Sequence, residues 1–90
     1  MTVPPLRLLC DEMLKGIGRW LRAARYDAAI AAEGASDQTL VAHARAEGRI
    51  LLTCDRRLAA LAGGARTLVL ASERLDQAAR ELKEFGIDWL

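Results

Sequence analysis

Apolar positions along the chain alternate between two spacings, one typical of buried strands and one typical of helices. Short continuous apolar runs bounded by turn-forming residues predict strands at 6–10, 27–32, 50–53 and 67–70. After each run the spacing becomes helical, as it does for Leu14, Ile17 and Leu21 in the first helix. The pattern therefore predicts four strand–helix units in succession.

Cap residues mark where three of the predicted helices begin and end. Ser36, Asp55 and Ser72 stand where a short polar side chain can accept a hydrogen bond from a first-turn N–H group. Glycines stand where the same helices must stop, at Gly48, at Gly63 with Gly64, and at Gly86. The last helix is expected to turn Leu75, Leu82 and Phe85 toward the core.

The order of elements predicts the architecture. Strands that are apolar throughout and alternate with helices are typical of a parallel sheet that is covered on both faces. Right-handed crossovers then give a doubly wound α/β sandwich. We expect one domain over residues 1–90, with a four-stranded parallel sheet and helices on both faces.

Composition narrows the functional classes only slightly. Thirteen basic and twelve acidic residues give a formal charge of +1, so the bulk charge indicates no partner. Two cysteines, Cys10 and Cys54, are too few for a disulfide framework and are expected to be reduced and buried. No signal peptide or membrane-spanning run is visible, which predicts a cytoplasmic protein without membrane contact.

Acidic residues follow three of the predicted strands. Asp11 and Glu12 follow the first strand, Asp37 opens the helix after the second, and Asp55 lies two residues beyond Thr53 at the end of the third. The carboxyl ends of parallel strands meet at one edge of the sheet, where ligands bind. Carboxylates gathered there suit a hard divalent cation such as Mg²⁺. Taken singly, each aspartate can equally be a helix cap.

Cations follow the first acidic pair. Lys15, Arg19 and Arg22 share one face of the first helix, and no acidic residue between Met13 and Tyr26 balances them. Such a stripe is often only a solvated face, but beside a carboxylate cluster it is suited to an RNA backbone. Trp20 and Tyr26 are candidates for stacking on bases, although with so few aromatic residues we expect Trp20 in the core.

Two glycines interrupt the same helix. Gly16 and Gly18 each weaken it by about 1 kcal/mol relative to alanine. They predict positions at which another part of the chain, or a ligand, comes close to the helix.

Three motifs resemble a known family. The segments DEMLKGIGRWLRAARYD (11–27), SDQTL (36–40) and GRILLTCDRRL (48–58) resemble the PIN-like ribonuclease domain first named for the C-terminal part of the Mut-seven exonuclease. The resemblance implies a PIN-like fold, a centre holding Mg²⁺ or Mn²⁺, and an RNA substrate. By position it implies acidic ligands at Asp11, Asp37 and Asp55, a hydroxyl at Thr53, and basic residues at Lys15, Arg19 and Arg22. PIN-like sites often use a fourth acid, for which Glu12 is the nearest candidate.

The chain departs from the family pattern at three points. Family members usually have Gly where this chain has Arg25, which predicts a different turn into the second strand. They often have Arg where this chain has Cys54, which removes a cation beside Asp55. Many relatives continue into a zinc ribbon, and this sequence stops at Leu90 where that module would begin, so we expect either a truncated form or a short member of the family.

Other functions fit parts of the pattern. A receiver-type signalling domain also has acids after its first and third strands, but it needs five strand–helix units. A catalytically silent PIN-like module that binds RNA or protein is the stronger alternative, as is a toxin nuclease controlled by an antitoxin-like partner. A homodimer through the last helix is also compatible with the sequence. Metal-dependent cleavage of RNA remains the leading hypothesis.

Overall fold

A computed structural model describes residues 6–63 and 66–87. Strands and helices alternate throughout these ranges, as the apolar pattern predicted. The strands are β1 (Arg7–Cys10), β2 (Asp27–Ile30), β3 (Ile50–Thr53) and β4 (Thr67–Val69). The helices are α1 (Lys15–Ala23), α2 (Asp37–Glu47), α3 (Arg56–Ala62) and α4 (Leu75–Glu84), and a 3₁₀ turn, Glu12–Leu14, precedes α1.

All four strands are parallel and lie in the order β2-β1-β3-β4. Leu8 in β1 is level with Ala28 in β2 and with Ile50 in β3, and Leu52 in β3 is level with Leu68 in β4. The connections from β1 and from β3 therefore run toward opposite edges of the sheet. This places the switch in strand order between β1 and β3, where open α/β sheets bind their ligands.

Apolar side chains cover both faces of the sheet, which confirms the doubly wound α/β prediction. Successive residues of a strand point to opposite faces, so Leu8 and Cys10 pack with α1 and α4, whereas Leu9 packs with α2 and α3. The helical residues of the first layer are Leu14, Ile17, Leu21, Ala78 and Leu82. Those of the second layer are Leu40, Val41, Ala44, Leu58 and Ala62.

Two of the three predicted N-caps are confirmed. Ser36 accepts a hydrogen bond from the N–H of Thr39, and Gly48 ends α2 with a φ of +62°. Asp55 caps α3. The cap predicted at Ser72 is wrong, because α4 begins at Leu75 after Arg74 and the Ser72 hydroxyl accepts from the Arg74 N–H instead.

Three large apolar side chains predicted to be in the core are exposed. Trp20 is 51% exposed, Leu75 is 42% exposed and Phe85 is 55% exposed. Leu75 and Phe85 lie at the two ends of α4, outside the core layer to which Leu82 belongs. After the turn at Gly86 the chain places Ile87 in the core.

The turn into β2 contains a residue in a left-handed conformation. Arg25 has a φ of +72°, the conformation for which glycine has no steric cost. The backbone of this turn therefore adopts the conformation that a glycine at position 25 would favour, although arginine occupies it. Arginine at position 25 therefore changes the strain of the turn and not its backbone conformation.

A charged network ties the opposite, amino-terminal edge of the sheet together. The Arg49 guanidinium donates to the carbonyl of Leu8 and to the carboxylates of Asp27 and Glu47, at 3.0, 2.9 and 2.6 Å. Arg7 adds hydrogen bonds to Asp27 and to the Glu47 carbonyl. These contacts join β1, β2 and the end of α2 at a distance from the acidic edge.

No helix in the described ranges has the length and apolarity needed to cross a bilayer.

Candidate active site

Asp11 lies at the switch between β1 and β3. Its backbone N–H donates to the Leu52 carbonyl at 3.1 Å, which continues the β1–β3 pairing by one residue. Its Oδ1 accepts from the Met13 N–H at 2.8 Å and so caps the 3₁₀ turn. The side chain is only 8% exposed. The chain therefore holds this carboxylate in a fixed position at the carboxyl edge of the sheet.

Thr53 joins Asp11 to the start of α3. The Thr53 hydroxyl is fully buried, donates to Asp11 Oδ2 at 2.6 Å and accepts from the Asp55 N–H at 2.9 Å. A hydroxyl bonded to a carboxylate at this distance makes a charge-assisted hydrogen bond, stronger than a neutral one. We call these three residues the Asp11–Thr53–Asp55 cluster.

Asp55 is the exposed member of the cluster. Its Oδ1 accepts from the Arg57 N–H at 2.8 Å and caps α3. A carboxylate has about four lone-pair sites on its two oxygens. The cap occupies one of them, and the side chain faces solvent, so Asp55 retains oxygen that can bind a ligand.

The edge around the cluster is negative. None of the ion pairs within residues 6–63 and 66–87 involves Asp11 or Asp55. Burial, followed by the charge of Asp11, raises the pKa of the Cys10 thiol to about 12. Burial, followed by the charges of Asp11, Glu73 and Glu81, raises the pKa of Cys54. The Asp11 carboxylate accepts hydrogen bonds from two neutral donors, the Met13 N–H and the Thr53 hydroxyl, and the nearby charge of Arg22 opposes the rise in the pKa of Cys10.

The contacts of the other two predicted acids, Asp37 and Glu12, lie outside this cluster. Asp37 is the first residue of α2 and is exposed. Glu12 accepts from the Gly34 N–H at 3.2 Å and so ties the 3₁₀ turn to the loop before α2. In the parts of the chain that the structure describes, no three side chains of His, Cys, Asp or Glu are grouped closely enough to hold a metal ion.

The three predicted RNA-binding cations differ in their surroundings. Lys15 and Arg19 are exposed on α1. The Arg22 Nε donates to the Ala28 carbonyl at 2.7 Å, so its guanidinium is anchored to β2. Arg22 therefore has a structural role in fixing α1 on the sheet, whatever else it contacts.

A cleft opens beside the cluster between the ends of β3 and β4 and the outer side of α4. Its volume is about 450 Å³, and its lining residues are Cys54, Arg56, Val69, Leu70, Ala71 and Glu81. Both carboxylate oxygens of Glu81 accept from the Ala71 N–H, at 3.0 and 3.2 Å. Sequence reasoning missed Arg56 and Glu81. Arg56 could have been found from its position next to Asp55, whereas Glu81 is brought here only by the docking of α4.

Comparisons with known proteins agree with the motifs. The Mut7-C RNAse domain family matches residues 6–89. The human protein named exonuclease mut-7 homolog is 35% identical over 86 residues, which is 90% of this chain and 10% of that protein. The chain thus spans about a tenth of the length of this relative. No solved structure matches significantly. The match over nearly all of the sequence confirms the resemblance, and the chain belongs to the Mut7-C RNAse domain family.

Proposed function

We propose that the chain is a metal-dependent ribonuclease that hydrolyses RNA phosphodiester bonds at a divalent metal centre on the carboxyl edge of the sheet. The observation that supports this most is the state of Asp11. It is a nearly buried carboxylate at the strand-order switch, fixed by Thr53 and Met13, and it forms no ion pair within 4 Å among the described residues. A buried charge without a counter-charge is costly, and a bound cation would remove that cost.

The donor set fits a hard cation. The cluster offers carboxylate oxygens from Asp11 and Asp55 and a hydroxyl from Thr53, and hard cations prefer oxygen donors of this kind. Asp11 and Asp55 would hold the ion, with Asp37 and Glu12 as the further predicted ligands. Mg²⁺ and Mn²⁺ both prefer such oxygen donors. When bound, the ion would supply an activated water and neutralise charge on the phosphate.

The remaining roles fall to side chains around the cluster. Thr53 orients Asp11 through its hydroxyl and holds the Asp55 backbone with the same oxygen. Lys15 is the first residue of α1, four residues after Asp11, and Arg19 lies one turn further along the helix. Both suit contacts with the RNA backbone. The cleft lined by Arg56 is open beside Asp55 and gives a polyanionic strand access to the edge.

The direct test is cleavage of a labelled single-stranded RNA with Mn²⁺, with Mg²⁺ or with EDTA, by the wild-type chain and by Asp55→Asn. Asparagine caps a helix about as well as aspartate, so this change keeps α3 while removing the charge. We expect cleavage only with metal, and its loss in the variant. Full activity of Asp55→Asn, or activity in EDTA, would contradict the proposed centre.

Metal binding can be measured without turnover. A ligand that binds only the folded state raises the unfolding temperature. We expect Mn²⁺ to raise it for the wild-type chain, and less so for Asp11→Asn. Equal shifts in both would place the ion elsewhere.

Two further outcomes are informative. RNA binding without cleavage under any metal condition would favour the catalytically silent module. The human relative is named an exonuclease. A circular RNA of the same sequence separates cutting from an end, which that name describes, from internal cutting.

A further inference from the structure

The outer surface of α1 carries an exposed tryptophan. Trp20 is 51% exposed and, with Arg19 and Ala23, lines a shallow depression of about 240 Å³. The buried residues of α1 are Ile17, Gly18 and Leu21, so the indole belongs to a different side of the helix. The ring therefore lies outside the core and is accessible to a ligand.

The two glycines of α1 serve different purposes. A Cβ on Gly18 would lie 2.7 Å from Cγ1 of Ile30, so the side chain of β2 explains this glycine. A Cβ on Gly16 would meet nothing within 4 Å. Gly16 is the second residue of α1, and no steric contact within the described residues requires a glycine there. The missing side chain leaves open surface on α1.

Gly16 and Trp20 share one side of the helix. They are four residues apart, and helical side chains lean toward the preceding turn. The ring of Trp20 therefore lies on the side of α1 where Gly16 has no side chain to cover it. An aromatic ring with bare surface beside it is suited to a flat ligand.

The charges on α1 indicate what kind of ligand this surface suits. Arg19 lines the depression beside Trp20, Lys15 is exposed one turn before Arg19, and no acidic residue occurs from 13 to 26. Within the described residues, neither cation takes part in an ion pair. Free cations beside an exposed indole complement a polyanion that carries aromatic rings.

We propose that Gly16, Trp20, Lys15 and Arg19 form a stacking platform for single-stranded RNA. One unpaired base stacks on Trp20 over the surface that Gly16 leaves open, and the two cations hold the flanking phosphates. A base inside a duplex is already stacked and cannot use the platform, so the surface selects single strands. This deepens the proposed ribonuclease function and rests on RNA being the ligand of the domain.

The test is equilibrium binding, kept separate from cleavage. Fluorescence anisotropy of a labelled single-stranded RNA is measured in EDTA with the Asp55→Asn chain as the parent. Adding Trp20→Ala should weaken binding about 5- to 150-fold, the range for one lost base stack, and Trp20→Phe should restore most of it. Leu61→Ala is the matched control, because Leu61 is 47% exposed on α3, which covers the opposite face of the sheet.

Gly16→Ala separates a ligand role from a structural one. Alanine should stabilise α1 and raise the unfolding temperature, because its Cβ meets open space. The proposal requires the same change to weaken RNA binding, by about fivefold as in the loss of a weak stack. A more stable chain with unchanged binding would overturn it.

Salt dependence tests the two cations. Lys15→Ala with Arg19→Ala should reduce the slope of log K against log salt by about 1.4, since each phosphate contact on a single strand contributes about 0.7. Arg66→Ala with Lys83→Ala removes the same charge from exposed positions outside α1 and should leave the slope unchanged.

The outcomes are distinguishable from failure of the proposed nuclease. Strong RNA binding that depends on Trp20, in a chain that never cleaves, would uphold the platform and reject the metal centre. Equal binding by the parent and by Trp20→Ala would overturn the platform. Equal binding of single-stranded and duplex RNA would also overturn it.

Discussion

Thr53→Val removes the hydroxyl that joins the two halves of the candidate site and keeps nearly the same shape. The hydroxyl is fully buried, donates to Asp11 Oδ2 and accepts from the Asp55 N–H. Valine can do neither, so the substitution leaves the Asp11 carboxylate with one donor fewer and the Asp55 N–H without its acceptor. We expect both the stability and the activity of the chain to fall.

The size of the stability loss follows from these two bonds. A hydrogen bond to a charged group contributes about 1.5–3 kcal/mol, and a neutral one contributes about 0.5–1.5 kcal/mol. Their joint loss should cost about 2–4.5 kcal/mol. A chain of this length has a total stability of about 5–13 kcal/mol, so the variant should still fold.

Thr53→Ser is the matched control. It keeps the hydroxyl and loses one methyl group, which should cost about 1 kcal/mol. Urea unfolding at pH 7 gives both free energies of unfolding, and RNA cleavage under the same conditions gives the activities. The reasoning is refuted if Thr53→Val is no less stable than Thr53→Ser, or if it cleaves RNA equally well.

Three further predictions concern stability. Arg49→Ala should cost about 2 kcal/mol in urea unfolding, because the guanidinium bonds the Leu8 carbonyl and two carboxylates, and Arg49→Lys should recover only part of this. Hydrogen bonds from Arg49 lower the pKa of Asp27 and of Glu47 below 3.8 and 4.5. The stability that these lowered pKa values contribute is fully present above these values and is lost as pH falls below them. The free energy of unfolding should therefore change less between pH 7 and pH 3 in Arg49→Ala than in the wild-type chain. An identical acid dependence would contradict the network. Arg25→Gly should stabilise by about 0.5–1 kcal/mol, the relief of a left-handed φ less the added freedom of the unfolded chain, and a loss of stability would show that the arginine is not strained.

Local chemistry made most of the fold predictable. The strand at 50–53 is buried on both faces and is apolar up to Thr53, its last residue, so the sequence predicts its bounds to the residue. Ser36 and Gly48 bound α2 through contacts within one turn, which depend little on the rest of the protein. Features that depend on contacts within a few residues can be predicted from a sequence. The failures occur where a helix meets the rest of the molecule.

The exposed apolar residues show why these failures arose. Leu75 and Phe85 share a side of α4 with Leu82, as the spacing predicted, but helical spacing does not reveal where the layer beneath the helix ends. Trp20 lies about 110° around α1 from the middle of the buried arc, at 100° per residue. We expected it in the core because aromatic residues are scarce, a compositional argument that its angular position contradicts.

The candidate site was predictable in part for the same reason. Asp11 follows β1, and Thr53 and Asp55 lie at and just after the end of β3, so the pairing of β1 with β3 suffices to bring them together. Asp37 follows the edge strand β2 after a loop, and the local sequence does not predict the path of that loop. Glu81 reaches the cleft only because α4 packs as it does.

Capping and ligand binding are not competing roles for these aspartates. A carboxylate that follows a parallel strand stands both at the site edge and at the start of the next helix, so one residue can serve both. In Asp11, Oδ1 caps the 3₁₀ turn and Oδ2 is held by Thr53. A cap alone needs one oxygen and no burial, whereas a ligand must have its carboxylate oriented. The buried hydroxyl that fixes the second oxygen is therefore the feature that separates Asp11 from an ordinary cap, and it is why Thr53 is the residue to change first.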